Sequence, residues 1–338
     1  MPLSRRAFLR LALLSGIAAG AGVIYKTTEP VGFANWFRWM WRGNVARFSA
    51  PPARVALAAC ASYEADILAC LRAAWDHAQM PALRGLRVVL KPNLVDFVGA
   101  RPSYTHPRFT QALIQLAREL GAREIIVADG ATFRRDALAI LDATGYTEML
   151  AREKIPFVDL NYDDLAEIPL SGYTRLKKLF MARTILDADL LISVPKLKTH
   201  HWTTISASIK NLFGIVPGIK YGWPKNTLHT QGIPAFLAEL ADSLPTRACA
   251  VVDGIVGMED DGPLFGRAVP SGVIIAGNDL VAVDATCARV MGFDPAHIDY
   301  LNFCGWAGIG ALDENKIEIA GEPLAKLARA FAKPPVLE

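Results

Sequence analysis

The sequence predicts an α/β fold, with a mostly parallel or mixed sheet flanked by helices, in one lobe or two. From about residue 54 onward, short apolar runs alternate with longer segments of helical spacing. Such alternation is typical of a parallel or mixed sheet covered by helices. The length of 338 residues suits one large α/β domain or two modest ones. A boundary near residues 160–173 would separate two lobes, and one continuous sheet is the alternative.

The predicted strands are short and apolar. In chain order they are Arg54–Cys60, Leu86–Leu90, Glu124–Ala128, Leu190–Val194, Cys249–Val252, Val273–Ala276 and Ile317–Ala320. The segment Asn161–Leu170 is expected to be a loop or an edge strand.

Helices are predicted where apolar residues recur every three or four positions. In the clearest case Phe109, Leu113 and Leu116 share one face, and Gly121 ends the helix. The predicted helices are Tyr63–His77, Pro107–Leu120, Arg134–Thr144, Phe180–Leu186, Leu280–Met291 and Pro295–Cys304, with another inside Thr227–Leu244.

Polar residues directly follow four of the predicted strands. They are Lys91-Pro92-Asn93, Asp129-Gly130, Pro195-Lys196 and Asp253-Gly254. Open α/β sheets bind ligands beyond the carboxyl ends of their strands. The sequence therefore predicts a ligand site at one edge of the sheet.

The segment Leu190–Gly214 concentrates candidate site residues. No Asp or Glu occurs between Asp189 and Glu239, so its lysines have no carboxylate partner nearby in sequence. Unpaired lysines at a strand end favour an external anion such as a phosphate or a carboxylate. Lys210 falls in the mostly apolar Ile205–Leu212, where we expect a half-buried helix face, and a buried lysine needs an anionic partner or loses its proton. The residues expected to bind the anion are Lys91, Asn93, Asp129, Lys196, Lys198, Thr199 and Asn211.

His200 is the candidate general acid or base, with Lys210 as the second catalytic candidate. The unperturbed pKa of histidine lies near neutrality, which suits proton transfer. A turn residue without catalytic function is the alternative for His200. His201 and His229 rank lower, and neither belongs to a metal motif of the H-E-x-x-H type.

Three carboxylates, Asp253, Asp279 and Asp284, have two interpretations. They could hold Mg²⁺ or another divalent cation that shares the anion with the lysines. They could equally be ion-pair partners of those lysines. The acidic run Glu259–Asp261 is interpreted as a solvated loop, because it lacks the spacing of a calcium-binding loop.

Several function classes are excluded by composition and motif. The net charge of +3 is too small for a nucleic-acid binder. The five cysteines include no C-x-x-C pair, so no cysteine-ligated iron–sulfur cluster is expected in this chain. The sequence contains no P-loop, no G-x-G-x-x-G fingerprint and no G-x-S-x-G elbow.

The amino terminus resembles a twin-arginine export signal. Ser4–Arg10 contains two adjacent arginines before an apolar pair, and an apolar run, Leu11–Tyr25, follows. This run is shorter than the ~20 residues of a membrane span. Residues 1–25 are therefore expected to be a cleaved signal or a retained anchor. In the linker 26–53, Phe33–Arg42 carries three tryptophans and two arginines, which suits a lipid headgroup zone, with a buried strap as the alternative.

The polar residues at the strand ends, taken in order, resemble the domain-of-unknown-function 362 family. The resemblance covers about 54–321 and leaves 322–338 as a tail. The matching motifs are Lys91-Pro92-Asn93, Thr105-His106-Pro107, Asp129-Gly130, Pro195–His200, Ile209–Asn211 with Gly214, Asp253–Met258 with Gly262-Pro263, and Asp279 with Asp284. The resemblance implies an α/β protein without a settled general activity, and many members carry a ferredoxin-like domain that this chain lacks. The sequence departs from the family pattern at Glu259–Pro263, where a glycine is expected near Asp260.

These observations predict an exported, membrane-proximal protein that binds an anionic small molecule and acts as an enzyme of unidentified reaction. It would reside in the periplasm or on the outer face of the cytoplasmic membrane. Its expected partners are the anion, the twin-arginine export machinery and the membrane surface. The alternative is a non-catalytic protein that holds a ligand or cofactor for a membrane or redox partner.

Overall fold

The computed structural model describes residues 50–131, 136–223 and 225–337. The predicted signal at 1–25, the aromatic segment Phe33–Arg42 and the start of the predicted helix Arg134–Thr144 lie outside the described residues. Within the described ranges, no helix has the length and apolar character needed to cross a membrane.

The strands of the described residues form one sheet of eleven strands and one two-stranded sheet. Their bounds are β1 (Ala53–Ala59), β2 (Arg87–Pro92), β3 (Glu124–Asp129), β4 (Phe157–Asp159), β5 (Leu165–Pro169), β6 (Lys178–Ala182), β7 (Leu190–Val194), β8 (Lys196–His200), β9 (Thr204–Ser206), β10 (Ala248–Glu259), β11 (Arg267–Val269), β12 (Val273–Gly277) and β13 (Ile317–Gly321). The main path of the large sheet runs β13-β1-β12-β10-β7-β2-β3-β4, while β8, β9 and β11 pair off this path. The small sheet consists of β5 and β6.

Helices connect and cover these strands. The α-helices are α1 (Ile67–His77), α2 (Pro107–Glu119), α3 (Ala137–Thr144), α4 (Tyr146–Glu153), α5 (Arg183–Leu186), α6 (Ser208–Asn211), α7 (Gly218–Tyr221), α8 (Asn226–His229), α9 (Ile233–Ser243), α10 (Leu280–Val290), α11 (Asp299–Ala307) and α12 (Leu324–Leu327). Short 3₁₀ turns span Leu212–Ile215, Pro295–His297, Glu314–Lys316 and Pro335–Leu337.

The predicted α/β class is confirmed, and the sheet is mixed. Strands β10, β7, β2, β3 and β4 are parallel neighbours, whereas β12 runs antiparallel to both β10 and β1. Lys91 lies opposite Ser193, and Asp129 lies opposite Asp159. Because parallel strands end at the same edge, the polar residues at their carboxyl ends share that edge of the sheet.

Each face of the sheet buries its own apolar core. Val88 and Leu90 of β2 belong to a cluster that includes α1, α2, α3 and α4. Val89, between them, belongs to the opposite cluster with α9, α10 and α11. Successive side chains of a strand point to opposite faces, so a strand covered on both faces reads as a continuous apolar run. This explains why β2, β3, β7 and the start of β10 were recognisable from sequence, whereas the half-buried edge strand β4 was not predicted.

Some elements differ from the sequence-based expectation. The predicted helix Phe180–Leu186 begins instead as β6, because this segment pairs with β5 as an antiparallel hairpin and only its second half is helical. The predicted helix around Ile205–Leu212 is β9 followed by the single turn α6. The predicted helix Pro295–Cys304 is divided into a 3₁₀ turn and α11. Short apolar runs do not distinguish strand from helix until a partner strand is present.

Candidate functional site

A cavity of about 780 Å³ opens at the carboxyl edge of the parallel strands. Strands β2, β3 and β8 and helix α6 supply part of its polar lining, and further polar groups come from Asp96, His201, Ser206, His229 and Asp261. The predicted site residues that it brings together are Lys91, Asn93, Asp129, Lys198, His200, Lys210 and Asn211. Residues from three parts of the chain that are far apart in sequence therefore meet around one space.

Lys91 and Asp129 form a buried ion pair at the cavity wall. The Lys91 Nζ lies 2.6 Å from Asp129 Oδ1, and both side chains are almost fully buried. Burial lowers the pKa of Lys91, and the Asp129 carboxylate opposes this shift. A Cβ atom on Gly214 would clash with Asp129 Oδ1 and lie 2.7 Å from Lys91 Nζ, so only glycine fits beside the pair. The charge of Lys91 is therefore compensated within the protein.

Two asparagines connect this pair to the cavity. Asn211 Oδ1 accepts from Lys91 Nζ at 3.0 Å and from Asn93 Nδ2 at 3.2 Å. Asn211 Nδ2 donates to Lys91 O and to Ser193 Oγ. Asn93 Oδ1, by contrast, is buried and has no hydrogen-bond partner among the described residues. Buried acceptors in native proteins nearly always have a donor, so this oxygen is available to accept a hydrogen bond from water or from a ligand.

Lys198 and Lys210 line the cavity without a carboxylate partner in the described part of the chain. Lys198 Nζ donates to Ser103 O at 2.6 Å, and Lys210 Nζ lies 4.6 Å from the centre of the Phe213 ring. Burial, together with the charge of Lys210 and Lys196, lowers the pKa of Lys198 to about 7. Burial and the charge of Lys91 lower the pKa of Lys210 to about 8. The cavity lining therefore includes two amines without an ion-pair partner among the described residues, although Asp96 and Asp261 also line the cavity.

Another buried amine, that of Lys225, lies behind the wall of the cavity. Its fully buried Nζ donates to Phe213 O at 3.2 Å, and Gly130 O lies 3.5 Å away. Burial lowers the pKa of Lys225 to about 7, with Asp129 opposing the shift and Lys91 and Lys210 adding to it. Lys225 adds positive potential without lining the cavity itself.

Three histidines line the cavity, and their backbone contacts indicate their tautomers. His200 Nδ1 accepts from Trp202 N at 3.1 Å, which places the proton of the neutral ring on Nε2. His201 Nδ1 lies 3.1 Å from Gly262 O and His229 Nδ1 lies 3.0 Å from Lys225 O. A carbonyl can only accept, so these two rings carry the proton on Nδ1 and leave Nε2 as an acceptor. At Nε2, the His200 ring is therefore a donor, whereas the His201 and His229 rings are acceptors.

His200 remains neutral at physiological pH. Burial and the charges of Lys210, His201 and Lys198 lower its pKa well below the ordinary value. Burial also lowers the pKa of His229, and the nearby lysines add to the shift. A neutral imidazole can donate or accept a hydrogen bond without adding a charge.

Asp284 holds the turn that carries Lys210. Its carboxylate accepts from the backbone N–H of Ser208 and of Ile209, from the Ser208 hydroxyl, and from Tyr300 OH at 2.8 Å. Burial raises the pKa of Asp284 to about 6, and these hydrogen bonds oppose the shift. The structure thus places Asp284 behind α6 as a positioning residue rather than beside the cavity.

The remaining predicted residues lie elsewhere. Lys196 Nζ forms a buried ion pair with Asp253 Oδ2 at 2.6 Å and also contacts Tyr63 OH at 2.6 Å, away from the cavity lining. The Thr199 hydroxyl donates to Asp260 O. Asp279 begins α10, where it accepts from Val281 N, Ala282 N and Ala311 N.

The predicted metal ligands are not assembled into one site. Asp253 is occupied by Lys196 and Tyr63, Asp279 by a helix start and Asp284 by α6. In the residues for which coordinates are described, no group of three or more His, Cys, Asp or Glu side chains is arranged to hold a metal ion.

Several cavity residues were ranked low or missed from sequence. His201 and His229 are part of the histidine group, and Lys225 was not singled out at all. The apolar residues of the loop 263–265 also line the cavity. The pair His200-His201 was a local signal for one of them. His229 reaches the cavity at the end of α8 and Lys225 lies behind the cavity wall, and no local pattern in the sequence indicates either placement.

Comparison with known proteins identifies the family. Residues 88–289 match the family described as Domain of unknown function (DUF362). The chain belongs to this family. The family-pattern departure near Asp260 coincides with a left-handed backbone, since Asp260 has φ 70°, a conformation that favours glycine and is accessible to Asp at some cost.

A curated relative from Synechocystis sp., described as "Thylakoid-associated protein sll1697", is 31% identical over 219 residues, which are 63% of this chain and 65% of the relative. The chain thus spans about two thirds of that protein's length.

Two solved structures are partly similar. The lactate racemase apoprotein from Thermoanaerobacterium thermosaccharolyticum has a TM-score of 0.46 and 17% identity, over 71% of this chain and 57% of that protein. A Thermotoga maritima protein has a TM-score of 0.38 and 13% identity, over 69% of this chain and 59% of that protein. Similarity at this level carries no conclusion about activity.

Proposed function

We propose that this protein binds an anionic small molecule, a phosphate or a carboxylate, in the lysine-rich cavity and acts on it as an enzyme. The observation that carries the proposal is the presence of Lys198 and Lys210 on the cavity wall without a carboxylate partner in the described residues. A buried amine keeps its charge only when an anion lies nearby. A bound oxyanion would provide that charge.

The hydrogen-bonding groups of the cavity match such an anion. The lysine ammonium groups and the Nε2–H of His200 are donors suited to phosphate or carboxylate oxygens. Asn93 Oδ1 is suited to a hydroxyl or a protonated group on the same ligand. Together these groups would orient the ligand by its charged end.

The histidines supply the proposed catalytic function. His229 and His201 each leave Nε2 as an acceptor, and His200 presents a donor on the same cavity. A donor and an acceptor around one bound anion are the groups needed to move a proton to or from it. The proposed reaction class is therefore proton transfer at the carbon next to a carboxylate, or at an oxygen of a phosphoryl group.

Binding is tested by isothermal titration with inorganic sulfate, whose charge is constant near neutral pH. Loss of a hydrogen bond to a charged group costs about 1.5–3 kcal/mol, so Lys210→Ala is expected to weaken binding about ten- to hundredfold. Lys220→Ala is the matched control, because Lys220 is exposed and lies outside the cavity lining. Equal affinities for both variants would contradict the proposal.

Catalysis is tested separately from binding. Native mass spectrometry of the protein expressed with its own amino terminus would identify an anion carried by the wild type and lost in Lys210→Ala. Turnover of that compound, measured in His200→Gln and His229→Gln, is expected to fall while binding is kept. If both variants retain full function in vivo, the protein holds its ligand for a partner and is not an enzyme.

We further propose export through the twin-arginine pathway to a membrane-proximal location. The Arg5-Arg6 pair and the following apolar run support export, and a thylakoid-associated relative supports proximity to a membrane. Cell fractionation of a double variant, Arg5→Lys with Arg6→Lys, is expected to show the protein retained inside the cell. Arg10→Lys is the control with the same chemistry in the same segment. Export of the double variant at the wild-type level would refute this proposal.

A further inference from the structure

The cavity is much larger than a bare oxyanion. Its volume of about 780 Å³ corresponds to about 26 waters at roughly 30 Å³ each. Sulfate or phosphate has only five non-hydrogen atoms and would fill a minor part of this space. Cavities of this size in proteins usually hold a ligand of tens of atoms.

The cavity lining combines polar groups with a large apolar part. The amines and asparagines come from β2, β8 and α6, and the histidines come from the end of β8, the residue after it and the end of α8. The apolar residues come mainly from two loops, one after β2 with Phe97 and Val98, and one after β10 with Leu264 and Phe265. Trp202, between β8 and β9, completes this apolar side, and the same two loops also contribute Asp96 and Asp261. The cavity thus offers a ligand both amines and an aromatic and aliphatic surface.

The aromatic groups on the apolar side are unusually exposed. Trp202 and Phe265 each have 58% of their surface accessible, although both line the cavity. Exposure of a large aromatic side chain to water is unfavourable, and full burial of one contributes about 1.5–3 kcal/mol of stabilisation. A ligand with an apolar body would cover them, whereas a bare anion would not reach them.

We infer that the ligand is amphipathic, with an anionic head bound by Lys198 and Lys210 and an apolar body that packs against Trp202, Phe265 and the loop after β2. This inference rests on the proposed anion binding and specifies its ligand class. An alkyl, aryl or isoprenoid compound that ends in a phosphate or carboxylate has this chemistry. It could come from solution or from a lipid surface.

The test is a series of n-alkyl sulfates, titrated by calorimetry from inorganic sulfate through butyl and hexyl to octyl sulfate, all below their micelle concentrations. Burial of one methylene is worth about fourfold in affinity, so a partly open cavity predicts about two- to fourfold per methylene. Octyl glucoside, with the same chain and a neutral head, is expected to bind at least tenfold more weakly than octyl sulfate.

Variants of single residues distinguish contacts with the apolar body of the ligand from contacts with its anionic head. Phe265→Ser is expected to lower octyl sulfate affinity severalfold while leaving inorganic sulfate unchanged. Ile219→Ser is the matched control, since Ile219 is also 58% exposed but lies outside the cavity lining. Lys210→Met is expected to weaken every member of the series by a similar factor.

The outcomes distinguish this inference from the proposed function. If inorganic sulfate binds but affinity does not rise with chain length, the amphipathic ligand is refuted and the anion site stands. If no member of the series binds, the anion site itself is refuted. The source of the ligand is tested with phosphatidylcholine vesicles that carry hexadecyl sulfate. Lys210-dependent co-sedimentation indicates a lipid ligand, and binding of octyl sulfate without co-sedimentation indicates a soluble one.

Discussion

Replacement of Lys198 by methionine is expected to stabilise the ligand-free protein at neutral and acidic pH. Lys198 is fully buried, and its Nζ has Ser103 O at 2.6 Å but no carboxylate partner in the described residues. Methionine has a similar length and no charge. The variant removes an unpaired buried charge at the cost of one hydrogen bond to a carbonyl.

The pH dependence of the stability difference between the wild type and Lys198→Met gives the cost of the buried charge, and the energy of that hydrogen bond need not be known. The pKa of Lys198 is lowered from 10.5 to about 7 in the folded protein, chiefly by burial. Between these values the unfolded chain binds more protons, so wild-type stability rises with pH. Each pKa unit is worth about 1.4 kcal/mol, so the wild type gains about 3 kcal/mol relative to Lys198→Met between pH 6 and pH 9. The lost hydrogen bond contributes equally at both pH values and cancels.

The assay is urea denaturation of both proteins at several pH values from 6 to 9, without anionic buffers. Lys220→Met is the control, because Lys220 is exposed and lies outside the cavity lining. A constant difference between the wild type and Lys198→Met over this range would refute the argument that Lys198 is a destabilised buried cation. Added sulfate is expected to stabilise the wild type more than the variant.

Three further predictions follow from the same contacts. Sulfate binding near pH 7.5 is expected to take up about one proton, because an anion restores the charge of Lys198 and Lys210, whose pKa values are lowered to about 7 and about 8. Calorimetry in buffers of different ionisation enthalpy measures this proton uptake, and an uptake of zero would contradict the prediction. Asp284→Ala is expected to lower the free energy of unfolding, measured with urea, by about 3–5 kcal/mol and to weaken sulfate binding, because it leaves the backbone donors of α6 unpaired. A variant that binds sulfate with wild-type affinity would show that α6 does not depend on this carboxylate. Gly214→Ala is expected to lower the free energy of unfolding by about 1–3 kcal/mol, because its Cβ would displace the carboxylate of Asp129, which pairs with Lys91. A variant with wild-type stability would refute this close approach.

Much of the fold and part of the candidate site were predictable from sequence because they depend on local chemistry. Strand Leu190–Val194 has the bounds that its apolar run predicted, since a strand covered on both faces needs apolar residues at every position. The polar residues at strand ends meet at one edge because their strands are parallel. The absence of acidic residues around Lys198 and Lys210 already indicated amines without local partners.

The pairing of charges was decided only by the tertiary structure. Lys91 and Lys196 looked as unpaired as Lys198, yet strand order brings Asp129 to the first and Asp253 to the second. No local pattern records which carboxylate crosses the sheet to which amine, because such contacts depend on the arrangement of strands. The histidine tautomers are also set by single backbone contacts made after folding.

The sequence by itself determined the α/β class, the edge of the sheet where the polar strand ends meet, and the lysine-rich character of the segment around β8. Periodicity, strand ends and charge are properties of neighbouring residues, so they can be read along the chain. The tertiary structure decided which lysines remain without a counter-charge, which carboxylate supports α6, and which loops add an apolar side to the cavity. These are consequences of distant segments packed together at fixed distances.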